Sequence, residues 1–315
     1  MEGDSTSQLT KRSIVAAILL CLVALVQVWV VSAGTFISWP THTALYAQQA
    51  DGFLHGHTYL PLPPSPQLLA LPNPYDPRAN HPYALHDVVL FDGKYYLPWG
   101  PVPALIAAAG CAAIRADHPN FGDQYLTFAF LLGTVAACAC LVWQIARKSL
   151  AKFTLAPIVV TILSLGLGTP VLFTLARAAV YEQSIVAAQF FLVCGLCAAW
   201  QAFSASSKPA LWAALAGSSW ALAAGSRIAL IPAIIALTLL TLYCLHRNRS
   251  RLAVLCALSA PMLAAAILLG AYNFARFHSP GEFGLRYQLA GRDQLHSPAS
   301  DLASPRTILA SGAMA

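Results

Sequence analysis

Charge is what this chain has least of. Only 10% of its 315 residues are Asp, Glu, Lys or Arg, against about 25% in soluble domains. So little charge cannot clothe a water-soluble surface of this size. With 58% hydrophobic residues and a mean hydropathy of +0.63, the chain reads as a polytopic membrane protein. Other absences narrow it further. No internal repeat is visible. Cysteines are present, at 21, 111, 138, 140, 194, 197, 244 and 256, but all lie in apolar segments, which excludes a disulfide framework. Cys194-Gly-Leu-Cys197 has redox or metal-ligand spacing without a His or carboxylate beside it, so it reads as small-residue packing. The first apolar run lacks a small-residue cleavage site and reads as an uncleaved span. The net charge of +6 then speaks to topology, and no nucleic-acid partner is expected.

A short polar start, residues 1–13, ends in Lys11-Arg12 and gives way to an apolar run over about 14–33. Later runs lie at about 101–114, 125–145, 154–175, 184–203, 210–224, 228–245 and 252–272. Roughly 20 apolar residues cross a hydrocarbon core, and the run at 101–114 is too short. If it stays on one side, Lys11, Arg12, Arg147, Lys148, Lys152, Lys208, Arg247, Arg249 and Arg251 all face the cytoplasm, as the positive-inside rule asks. If it crosses, the clusters RKSLAK and HRNRSR move outside and the rule fails. As one helix, 210–245 would be about 54 Å long, so Gly225-Ser226-Arg227 is expected to turn a tight helical hairpin. The expectation is an all-α polytopic transmembrane bundle of about seven spans. It comprises a cytoplasmic start (1–13), a transmembrane domain (14–273) holding a long outer loop (34–124) with short interfacial helices, and an outer tail (274–315). On this topology the glycosylation acceptor Asn248-Arg-Ser250 is cytoplasmic and is discounted.

The outer face gathers the residues that carry chemistry. The segment 34–99 is proline-dense from Pro61 to Pro82, which excludes a long helix or central strand; its many Tyr, Leu and His residues argue for an ordered loop. Its acids are Asp51, Asp76, Asp87 and Asp92. Asp87 or Asp51 suits a general base that deprotonates a hydroxyl. Asp92-Gly93 is first a turn signal, with Asp92 a further candidate base, and Asp76 in NPYDPRAN is most simply a turn. Arg177 and Glu182 in LARAAVYEQS and Arg227 in GSRIA stand at hairpin tips, where they either snorkel or meet a charged substrate. Arginine suits phosphate because its fork bonds two oxygens at once. Lys94 and Tyr95 of the DGKYY turn complete the substrate-contact candidates. Tyr95, with Tyr96 and Trp99, is an interfacial anchor or stacks on a sugar face. His55-Gly-His57 with His86 offers imidazoles for a metal, but nothing fixes a third or fourth ligand, so no metal or other cofactor is assigned.

The first span, the loop segments ADGFLHGHTYLPLPPSP and FDGKYYLPWGPVPALI, and the later LALAAGSRIALIPAII together resemble membrane glycosyltransferases of the GT-C superfamily, which includes aminoarabinose and protein O-mannosyl transferases. AVYEQSIVAAQFF and YNFARFHSPGEFGLRYQLAG resemble one bacterial branch of it. The resemblance spans about residues 14–295. It implies inverting transfer of a sugar from a polyprenyl-phosphate donor at the outer membrane face, with membrane lipid around it and a first-loop Asp as base. Such proteins usually carry an acid, often Asp-Glu, soon after the first span. Here SWPTHTALYAQQAD delays the first acid to Asp51, and the base stays open among Asp51, Asp87 and Asp92. The Ser/Pro/Ala-rich end is expected to mark a truncated or half-length relative. Two other readings stand beside transfer: a non-catalytic remnant, and a transporter or flippase, which predicts broken helices at the midplane.

Overall fold

The computed structural model describes residues 2–116, 118–149, 154–204, 208–245 and 251–296. Asn248 and the tail beyond residue 296 lie outside the described residues. The chain is mostly helical. Five stretches are long and apolar enough to cross a membrane: Thr10–Val31, Asp123–Lys148, Ala156–Ala176, Val180–Phe203 and Leu252–Phe277. They belong to α1 (Glu2–Val31), α6 (Asp123–Ser149), α7 (Ala156–Leu167) with α8 (Thr169–Ala176), α9 (Val180–Phe203) and α12 (Arg251–Phe277). The other two expected spans are helices too, α10 (Pro209–Ser226) and α11 (Ile231–Leu245). However, Gly, Ser and Trp dilute the apolar character of α10, and Ile228–Cys244 is a shorter apolar stretch. The chain breaks at Arg227, as the GSR signal suggests, and a 3-10 turn over Ile228–Leu230 leads into α11. The stretch 154–175 is not one helix. Gly168 adopts an extended conformation, and Pro170 opens α8 where a missing N–H costs nothing.

The bundle is held together by small residues. Alanines 187, 188, 198 and 199 of α9 and 213, 216 and 223 of α10 are buried. They let the two backbones approach, the packing that membrane interiors favour. A Cβ on Gly195 would come within 2.2 Å of Trp220 Nε1, and one on Gly217 within 2.1 Å of the Leu258 carbonyl. Gly195 is the second residue of the Cys194–Cys197 motif, so that motif makes room for a fully buried tryptophan. Ile18, Leu25, Leu239, Ile267 and Leu268 stay exposed, an apolar exterior that suits lipid.

Residues 34–122 cap one end of this bundle. They form α2 (Leu45–Leu54), α3 (Pro66–Leu69), α4 (Pro77–Asn80), the hairpin β1 (Val89–Phe91) and β2 (Lys94–Tyr96), and α5 (Val102–Ala113). The proline-rich stretch is built of one-turn helices, each opened by a proline and capped by Ser65 or Asp76. Asp92 (φ 47°) and Gly93 (φ 67°) make the two-residue turn, with Phe91 opposite Lys94, as positive φ at both positions requires. The cap has its own core of Tyr46, Ala50, Leu60, Leu68, Val88, Leu90, Tyr95 and Leu97. The segment after α12 joins it: Leu289 N–H donates to Val88 O at 2.8 Å, and Gln288 bridges Val89. The stretch 274–296, expected as a loose tail, is thus built into the cap.

Both ends of α5 lie at the capped end. Gly100 N–H, before α5, donates to Ser226 O at the end of α10, and Asp123, after it, bonds Thr43. Twelve residues reach about 18 Å, short of a ~30 Å core. Gly100 allows this closeness, because a Cβ there would lie 1.9 Å from the Gly225 carbonyl oxygen. Gly100→Ala should therefore push the cap off α10 and lower stability by about 1–3 kcal/mol. Gly110→Ala, on an open face of α5, should be neutral or slightly stabilising. Thermal unfolding in detergent compares the two.

Candidate functional site

The cap is fastened by a carboxylate. Asp123, fully buried, accepts hydrogen bonds from Thr43 Oγ1 (2.5 Å), Leu45 N–H (3.1 Å) and Tyr46 N–H (3.1 Å). It thereby satisfies the first donors of α2 from another helix, the work an N-cap side chain normally does. Thr43 Oγ1 in turn accepts from Val180 N–H at 2.8 Å, so α2, α6 and α9 meet at one point.

Beside it runs a buried polar seam. Gln49 Nε2 donates to Tyr272 Oη at 2.8 Å. Arg276, 3% exposed, donates to Leu97 O (2.8 Å) and Asn273 Oδ1 (2.6 Å), with its guanidinium 4.0 Å over the Tyr272 ring. Tyr46 Oη, Gln49 Oε1 and Arg276 Nε have no hydrogen-bond partner among the described residues. Burial pushes the Tyr46 phenol well above its usual range, nearby Asp123 adds to this and Arg227 opposes it, so Tyr46 is held as a neutral donor. Tyr75 donates to Leu90 O at 2.8 Å and is pushed up to about 12 by burial first and then by Tyr287 and Asp293. Of the seam, Arg276 carries the one sequence signal, a charge at the end of an apolar run. Asp123 had a signal, a Gly-Asp pair opening an apolar run; Gln49 and Tyr272 are 223 residues apart and had none.

The three aspartates expected as base candidates have separate surroundings. Asp51 Oδ1 meets His118 Nδ1 at 2.8 Å and His55 Nδ1 at 3.4 Å. Asp87 sits at φ 63°, 3.3 Å from Gln288 Nε2 and 3.7 Å from His86 Nε2. Asp92 is 64% exposed at the hairpin tip, 3.3 Å from His278 Nε2. Asp76 caps α4. The imidazoles of His55, His57 and His86 do not converge: His57 stacks on Tyr59 instead. Tyr95 and Tyr96 are buried in the cap, and Trp99 packs edge-on against Tyr181. All three are core residues rather than surface anchors, and Tyr95 shows a ligand almost no surface. Lys94 lies 4.4 Å over the Tyr59 ring.

Arg227 donates to Ser184 Oγ at 2.6 Å and stacks 4.5 Å over Tyr181. Arg177, the residue that ends α8, is exposed. Glu182, in the first turn of α9, stands in the wall of a groove of about 370 Å³ between α6, α7, α8 and α9. The remaining wall is mostly apolar, with Leu131, Val135, Val171, Val186 and Val193, interrupted by Thr134, Thr174 and Gln189. Glu182 Oε2 is shielded from solvent without a hydrogen-bond partner among the described residues, an arrangement that calls for a donor. No family model, curated protein or solved structure matches the chain.

Proposed function

We propose that the protein is an integral membrane glycosyltransferase-like protein that takes a sugar from a polyprenyl-phosphate-linked donor at the outer face of a bacterial inner membrane. The observation that carries this reading is the groove. It is mostly apolar, lies within the usual 300–1,000 Å³ of ligand sites, and holds in its wall Glu182, whose Oε2 has no hydrogen-bond partner among the described residues. In this reading the prenyl chain lies along α6 and α9, Arg177 receives the phosphate, and Glu182 accepts a hydroxyl. One of Asp51, Asp87 and Asp92 takes the proton of the acceptor. Seven crossings, counting α10 and α11, put the cap outside and Lys11, Arg147, Lys148 and Lys208 inside. The placement of Gly100, Ser226, Thr43 and Asp123 at one bundle end supports this.

The test is binding and transfer in lipid nanodiscs. Val193→Trp, which fills the groove from a half-buried position, should reduce polyprenyl-phosphate binding at least tenfold, and Glu182→Gln should weaken transfer more than binding. Unchanged binding in Val193→Trp sinks the groove assignment. Retained binding with no transfer of any sugar favours the non-catalytic reading. A transporter reading also has a specific support, the helix break at Gly168, since transporters build substrate sites from discontinuous helices. Substrate flux into sealed vesicles without group transfer would favour it.

A further inference from the structure

We propose that Asp51, His55 and His118 form a binding site for a zinc-type divalent metal ion on the cap. The three residues come from two segments: Asp51 lies on α2, His55 follows one turn later as the residue that caps its C-terminus, and His118 stands in the connection from α5 to α6. Their ligand atoms all lie within 4.8 Å of one another. Both imidazoles turn Nδ1 toward the same oxygen, Asp51 Oδ1, at 2.8 Å from His118 and 3.4 Å from His55. The rings stack 5.3 Å apart at 18°. Two imidazole nitrogens and a carboxylate oxygen drawn this close together from two segments make a donor set that a single cation can share.

The spacing suits zinc. Bonds of about 2.0–2.1 Å at tetrahedral angles separate ligand atoms by about 3.4 Å, the distance already present between His55 and Asp51. His118 must open by a few tenths of an ångström, which an exposed ring on a loop can do. His55 Nδ1 also lies 2.9 Å from the Asp51 carbonyl. That carbonyl keeps its helical bond from His55 N–H at 3.2 Å when the ring turns to metal. On binding, each imidazole serves as the neutral tautomer with its proton on Nε2, which leaves the Nδ1 lone pair for the metal. The imidazoles are 50% and 68% exposed, so a water or an anionic oxygen takes the fourth position, the open form of a zinc site. An ion here pins α2 to the α5–α6 connection and removes Asp51 from the candidate bases. The site stands on its own geometry and does not depend on sugar transfer.

The experiment uses full-length protein in detergent, stripped by chelator and titrated with zinc chloride, with bound metal counted by mass spectrometry. One ion per chain is expected, together with a rise in melting temperature. His55→Ala and His118→Ala should each weaken binding at least tenfold, while His57→Ala, next in sequence but stacked on Tyr59, should leave it unchanged. Because both ligand rings are exposed, the metal-free variants should melt like the metal-free parent, which separates lost binding from lost fold. Cobalt should give a tetrahedral visible spectrum in the parent and lose it in the double variant His55→Ala, His118→Ala. Absence of binding at micromolar free zinc, or full binding by that double variant, overturns the proposal.

Discussion

Asp123→Ala should be among the most damaging single substitutions in this chain, lowering stability by about 3–4 kcal/mol. The side chain is fully buried and accepts three hydrogen bonds, two from the first N–H groups of α2 and one from Thr43. Alanine leaves both N–H groups without an acceptor inside the protein, and the cost of orphaned donors exceeds the net value of the bonds lost. It also frees Thr43, which holds the start of α9 through Val180. The cap should therefore loosen before the bundle melts. Proteolysis within residues 34–99 should accelerate under conditions where the transmembrane helices remain intact. Asp123→Asn keeps one acceptor oxygen and should fall between alanine and the parent. A melting curve for Asp123→Ala within about 0.5 kcal/mol of the parent, the range of ordinary surface changes, would show that the cap is fastened elsewhere.

Composition and apolar run length were enough to announce a helical membrane protein, and local turn chemistry located its joints. The break at Arg227, the Asp92-Gly93 turn and the turn at Asp76 all follow from neighbours within a few residues. What stayed hidden depends on distance or on backbone geometry that hydropathy does not sense. Gly168 splits a run that is apolar throughout. Leu289 completes a cap core that begins at Leu45, so the tail looked loose. Tyr95 and Tyr96 alternate faces on β2, which suggests one wet side, yet the cap core covers Tyr95 while Phe277 packs against Tyr96. The candidate metal site was half legible: His55 was suspected, but the imidazole stacked beside it is that of His118 rather than His57 or His86. His118 stands sixty-seven positions after Asp51, and periodicity does not sense contacts across such a distance.

Arg276→Ala should lower stability by about 3 kcal/mol, and the cause is the cap rather than an ion pair. Among the described residues no carboxylate lies within ion-pair distance of this buried guanidinium. Its charge is offset by the Leu97 carbonyl, Asn273 and the faces of Tyr272 and Phe277, 4.0 and 4.6 Å away. Two terms oppose each other. Removing a desolvated cation is favourable, while Leu97 O and Asn273 Oδ1 lose their donor at about 1–3 kcal/mol each, and alanine leaves a void. The second group wins for alanine. Arg276→Met keeps the volume and should recover part of the loss. Arg276→Lys should recover less than its charge suggests, because an ammonium lacks the planar fork that serves both acceptors. The decisive comparison is with Gly100→Ala. Leu97 and Gly100 are three residues apart, and each fixes the same turn to a different helix end, Arg276 of α12 and Ser226 of α10. If the turn is one rigid fastening, the double variant should cost less than the sum of the singles by at least 0.5 kcal/mol, the coupling expected of residues sharing a structural element. Strict additivity would mean that the two helix ends hold the cap independently.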